Sequence, residues 1–112
     1  GVYDIDKGEY KLFDAQGWSG ELDKKLGEYP VGFYAWRNLV ADLKKNDKLK
    51  TFFQNLKSSN TLGAKLALAY LKNSKEIGEK LVKIGVAKTA EDVNNVLLNG
   101  FYHLYGPIND YI

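Results

Sequence analysis

The chain has 112 residues, a mass of 12.6 kDa and a net charge of +2. A length of that order sets one domain, residues 1–112, able to bury about two thirds of its unfolded surface and fold without staples. Cysteine is absent, which excludes disulfides, thiol nucleophiles and zinc–thiolate sites, and no apolar run approaches the roughly 18 residues of a membrane span.

The charge is unevenly placed. Residues 1–43 carry five basic against eight acidic residues, residues 44–88 eleven against three, and residues 89–112 none against three. A basic middle between acidic ends points to internal complementarity or to an anionic partner. Methionine is also absent and the first residue is Gly1, so a processed, exported chain is the expectation.

Taken in order, residues 1–18 read as an irregular or short extended arm. Tyr3, Ile5, Tyr10, Leu12 and Phe13 hold no helical period, so the arm is expected to dock aromatics onto the body. A short helix follows, with Ser19 as N-cap and Glu21 in its first turn, ending near Gly27. Pro30 blocks continuation. From Gly32, the residues Phe33, Trp36, Leu39, Val40 and Leu43 step by three and four and predict a helix ending at Lys44 and Lys45. Asn46 or Asp47 caps the next, whose stripe is Leu49, Phe52, Phe53 and Leu56 and which frays at Ser58–Asn60.

The longest helical signal starts at Asn60 or Thr61. Leu62, Leu66, Tyr70, Asn73, Ile77, Leu81 and Ile84 share one face, which reads as the core face, widened by Ala64, Ala67, Leu68, Ala69 and Leu71. A joint at Asn73–Ser74 would make it two helices, and Gly85 ends it. Thr89 and Asp92 have capping-box spacing. Val93, Val96, Leu97, Phe101, Leu104 and Tyr105 continue at helical spacing until Gly106-Pro107. The expected fold is therefore all-α: a compact bundle of five or six short amphipathic helices with an irregular N-terminal arm.

Catalytic signatures are missing. A calcium loop starting at Asp4 fails, because Glu9 stands where glycine is needed and Ala15 where the bidentate glutamate belongs. His103, the sole histidine, has no metal-binding company and no nucleophile-elbow serine to serve. The lysines of the middle third recur opposite the apolar stripes, which reads as a solvated face. Arg37 is the sole arginine, too little for base-edge readout, so no specific nucleic acid is expected. No catalytic residue, metal or cofactor is assigned.

Eight tyrosines and two tryptophans exceed what a core of this size needs. Tyrosine joins a large apolar body to a polar tip, which suits protein interfaces. The expected function is non-enzymatic protein binding, by a secreted or host-facing interaction protein. Its expected contact set is Tyr34, Tyr102 and His103, off the stripes, with Lys44, Lys45 and Lys48 steering an acidic partner. The alternative is a carrier for a small apolar ligand held among helices.

The helical order also resembles a known family. Asn46-Asp-Lys-Leu49-Lys-Thr-Phe52-Phe53-Gln-Asn-Leu56 is similar to the segment leading into the Tyr helix of the WY and LWY modules of secreted oomycete effectors. Leu62-Gly-Ala-Lys-Leu66 through Ile77-Gly-Glu-Lys-Leu81 is similar to their leucine-motif helix. Lys83-Ile-Gly85 through Val93 resembles their Gly-x-x-Pro-x-x-Val turn, with Tyr102, Tyr105 and Tyr111 in the place of the terminal tyrosines. Leu81 or Val82 stands at the family tryptophan, Ala90 near the family proline, and Arg-x-Leu-Arg is absent. The resemblance implies a non-enzymatic virulence protein that binds a host protein; it transfers no binding residue.

Overall fold

The computed structural model describes residues 1–12 and 19–112. The arm begins as a β-hairpin. Strands β1 (Val2–Asp4) and β2 (Glu9–Lys11) pair antiparallel, with Tyr3 opposite Tyr10. Asp4 builds the turn: its carboxylate accepts the N–H groups of Asp6 and Lys7 and pairs with Lys11. The segment that resembles a calcium loop is thus a side-chain-closed turn. Tyr3 and Tyr10 pack edge to face on each other, centroids 5.0 Å apart, and both stay exposed rather than docking on the body. Phe13 and the rest of the arm to residue 18 lie outside the described residues.

Helices α1 (Ser19–Leu26), α2 (Trp36–Leu39), α3 (Lys45–Ser58), α4 (Leu62–Lys83) and α5 (Ala90–Asn95) follow. The expected helix over 32–45 shrinks to the single turn of α2. Asp42 explains the break. Its Oδ1 accepts the Lys44 N–H at 2.7 Å and its backbone oxygen accepts from Lys45. Such local bonding competes with helix continuation. It also starts α3 at Lys45, one or two residues ahead of the expected cap. Of the predicted stripe only Leu39 is buried; Phe33, Trp36, Val40 and Leu43 face solvent.

Helix α4 runs without a joint at Asn73–Ser74. Thr61 caps it, its hydroxyl accepting from the Ala64 N–H at 3.2 Å. At its end Gly85 adopts φ +77°, its N–H meets the Val82 oxygen and the Val86 N–H meets the Leu81 oxygen. That is a Schellman closure, which needs a residue tolerant of the left-handed region. The Thr89–Asp92 capping box forms as predicted.

Beyond α5 the expected continuous helix fails. Val96–Gly100 forms one π-helical turn and the helix stops there. Asn99 and Gly100 are weak helix formers, and Tyr102, at φ +54°, turns the chain away. Phe101 is exposed, not core, whereas Leu104 and Tyr105 do reach the core.

The core is small. Among the described residues, the buried apolar side chains are Leu39, Leu49, Phe53, Leu56 and Ala64. Phe53 is the centre, 1% exposed, with Tyr111 stacked on it at 4.9 Å and Tyr105 edge-on at 5.0 Å. The C-terminal segment is laced down by Lys75, which donates to the Asn109 and Ile112 oxygens at 2.7 Å, and by Lys57, which donates to Tyr111.

The fold is mostly helical with a small two-stranded sheet, and it matches the expected compact all-α bundle only roughly. The radius of gyration is 17.2 Å, against about 13 Å for a compact chain of this length. The accessible surface is 8697 Å², against about 6,200 Å² for a folded monomer of this mass. Uncovered apolar side chains lie on the hairpin (Ile5, Tyr10) and in the loops (Tyr29, Val31, Leu43), and α4 adds to them. That helix packs through its small-residue face, Ala64, Ala67 and Gly78 with Leu68 and Leu71. The larger stripe expected to be core is left outside: Leu66 is 54%, Tyr70 72% and Ile77 60% exposed.

Candidate functional site

The loop from Gly27 to Ala35 leaves α1 through Pro30, which cannot continue a helix. It carries Tyr29 and Phe33 to one side and Tyr34 to the other. Tyr29 and Phe33 stack at 4.6 Å, and Phe33 meets Phe52 edge to face at 6.1 Å. Phe52 in turn touches Phe53 at 5.6 Å. A chain of rings therefore runs from exposed loop to buried core.

This loop, with the end of α1, walls a cleft of about 770 Å³ against α3 and α4. Its floor and sides are Leu26, Pro30, Phe52, Leu56, Ala67, Tyr70, Leu71 and Tyr105, with Tyr29 and Phe33 on the rim. Asp23 and Glu28 are its charged lining residues; no lysine or arginine among the described residues lines it. The cleft is an apolar slot with an acidic edge.

Burial pushes the Tyr105 hydroxyl above its ordinary range, and Tyr70 adds to the shift. The folded form thus favours the neutral phenol. Its contribution to stability is complete below the unfolded pKa of about 10 and is lost as pH rises through the higher folded value. The thermal midpoint is expected to fall more steeply above about pH 10 in the wild type than in Tyr105→Phe. Circular-dichroism melts between neutral and alkaline pH test this; identical slopes would refute it.

Of the six sequence-predicted contact residues, five divide into two patches and Lys45 belongs to neither. Tyr34, Lys44 and Lys48 line a depression of about 190 Å³ with Asp47 and Thr51. Lys48 Nζ lies 4.8 Å from the Tyr34 ring centroid and 2.5 Å from the Asp42 carboxylate. The Lys48 hydrogen bond, joined by one from the Lys44 N–H, holds the Asp42 carboxyl below its ordinary range. Asp42 in turn raises Lys48. Lys48 therefore offers a partner a charge that is already matched. Lys45 is half-buried in the first turn of α3 and does not line this depression.

Tyr102 and His103 form the second patch, exposed beside Phe101, whose ring lies 6.4 Å from His103. Trp36 joins it to α2 by donating Nε1–H to the Tyr102 oxygen at 2.7 Å. The sequence reading missed the cleft, because it assigned Phe33 and Tyr70 to core stripes. The signal that marks the rim is local: Tyr29-Pro30 and Gly32-Phe33 place aromatics beside helix breakers.

No group of three or more metal-binding side chains occurs among the described residues. Among the described residues no helix is long and apolar enough to cross a membrane. No protein-family model matches the chain, and neither a curated protein nor a solved structure matches it.

Proposed function

We propose that this chain is a non-enzymatic protein-binding module whose cleft receives an apolar segment of a partner protein. The observation that carries the reading is accessible surface. The chain exposes 8697 Å², about 2,500 Å² more than a folded monomer of its mass. Around the cleft, Tyr29 is 77%, Phe33 52% and Tyr70 72% exposed, and large apolar side chains left uncovered together mark an interaction surface. The acidic edge formed by Asp23 and Glu28 fits a segment flanked by lysine or arginine. Tyr34 and Lys44, one residue along the loop from Phe33 and across from it, extend the contact in the direction of an acidic patch. A secreted, host-facing effector role rests on the sequence resemblance alone.

Tyr29 and Phe33 are exposed, so truncating them leaves the core intact. The double variant Tyr29→Ala, Phe33→Ala is expected to keep its far-ultraviolet dichroism and to lose partner affinity about 30-fold or more, as rim aromatics at a hot spot do. Affinity is measured by calorimetry against a captured partner. A partner that binds the folded double variant as tightly as the wild type would sink the proposal.

A second reading draws on the same cleft. Its volume falls within the roughly 300–1,000 Å³ of small-molecule sites, which supports a carrier of an uncharged or cationic apolar ligand. Native mass spectrometry of protein from its own source decides between them: a bound small molecule favours the carrier, and a ligand-free mass favours the protein partner.

A further inference from the structure

The exposed stripe of α4 is a separate surface from the cleft, shared with it at Tyr70 alone. Leu66, Tyr70, Asn73, Ile77, Lys80 and Ile84 step by four and three, the spacing of a coiled-coil seam. The stripe is also nearly symmetric about Asn73, which sits at the middle of the helix. Tyr70 lies three residues before it and Ile77 four after. Leu66 and Lys80 lie seven on either side, and Leu62 and Ile84 eleven. Turned end for end, the stripe falls on itself.

We propose that α4 pairs antiparallel with α4 of a second copy of this chain, centred on Asn73. In that arrangement Asn73 meets its twin on the two-fold axis, where two amides can bond each other. Tyr70 of each copy meets Ile77 of the other, and Leu62 meets Ile84. The partner must be antiparallel because of Lys80. A parallel pair sets Lys80 against Lys80 in the seam, whereas the antiparallel pair lays its stem over Leu66. Opposed helix dipoles favour the same direction. The area also fits. A stable two-fold interface takes about 800 Å² or more from each partner, and Leu62, Leu66, Tyr70, Ile77 and Ile84 are each 48–72% exposed along the helix.

The test is the oligomeric state, with cleft residues untouched so that its failure leaves the cleft reading standing. Sedimentation equilibrium is expected to give twice the 12.6 kDa mass. Leu66→Glu and Ile77→Glu alter side chains that are already more than half exposed. Each is expected to weaken self-association about 100-fold or more with unchanged dichroism. Direction is read by single cysteines, since the chain has none of its own. Asn73→Cys is expected to form an intermolecular disulfide on mild oxidation. Leu66→Cys is not, because its twin lies about 20 Å away along the seam. A monomer at high micromolar concentration overturns the proposal. So does a dimer indifferent to Ile77→Glu, or one that Leu66→Cys cross-links as readily as Asn73→Cys.

Discussion

Phe53→Ala is expected to remove most of the chain's stability at 25 °C. Removing a buried phenylalanine costs about 3–5 kcal/mol, and single domains hold about 5–15 kcal/mol in total. This chain sits at the low end of that range, because its fully buried apolar set is small and Phe53 is its centre. The ring is packed by Phe52, Tyr105 and Tyr111, three flat partners that cannot collapse into the void without losing their own contacts. Urea titration followed by dichroism measures the effect. A variant that unfolds within about 1 kcal/mol of the wild type would show that the core is not organised around this ring, since even well-relaxed cavities cost more.

The second large effect is expected at Gly106, a buried glycine beside the side chain of Asn94. Asn94 holds both backbone groups of Ile108: Nδ2 donates to its oxygen at 2.8 Å and Oδ1 accepts its N–H at 3.0 Å. A Cβ at residue 106 would run into the Cγ and Oδ1 of Asn94. Gly106→Ala therefore has to expel the amide and release the turn that leads Tyr111 onto Phe53. The expected cost is about 2–4 kcal/mol, from overpacking together with two lost hydrogen bonds. Asn94→Ala alone removes the bonds without the clash and is expected to cost about 1–3 kcal/mol. In the double variant the contacts with Cγ and Oδ1 are gone, the contact with the Cβ of residue 94 at 2.5 Å stays, and the hydrogen bonds are lost only once, so the two costs do not add. Strict additivity in urea denaturation would refute the account.

The readable features share one property: each is decided within a few residues. Thr61 and the Thr89–Asp92 box cap helices because their hydroxyls reach N–H groups three residues on. Gly85 ends α4 because it alone nearby accepts a left-handed backbone without strain. The stripe of α3 reads correctly because Leu49, Phe53 and Leu56 are its large apolar side chains on one face. The failures also have local chemistry, once Asp42 is seen to bond its own downstream backbone. Periodicity over 32–45 outweighed that competing bond in the sequence reading.

The candidate site was less legible. Tyr34, Lys44 and Lys48 do come together, but the cleft beside them is made by residues 23–33, 52–71 and 105, and no pattern in one segment announces the others. Helix content and helix ends follow from the residues alone, because capping and backbone closure are short-range. Which face of α4 is covered does not. The helix carries two apolar faces, one of large side chains and one of Ala64, Ala67 and Gly78. Hydrophobicity ranks the larger face first. Close packing prefers the smaller one, since Ile108 and Val93 can settle directly on Gly78, and dispersion gains fall off steeply with any gap. That preference depends on the shape of partners distant in sequence, and it is what leaves Leu66, Tyr70 and Ile77 at the surface.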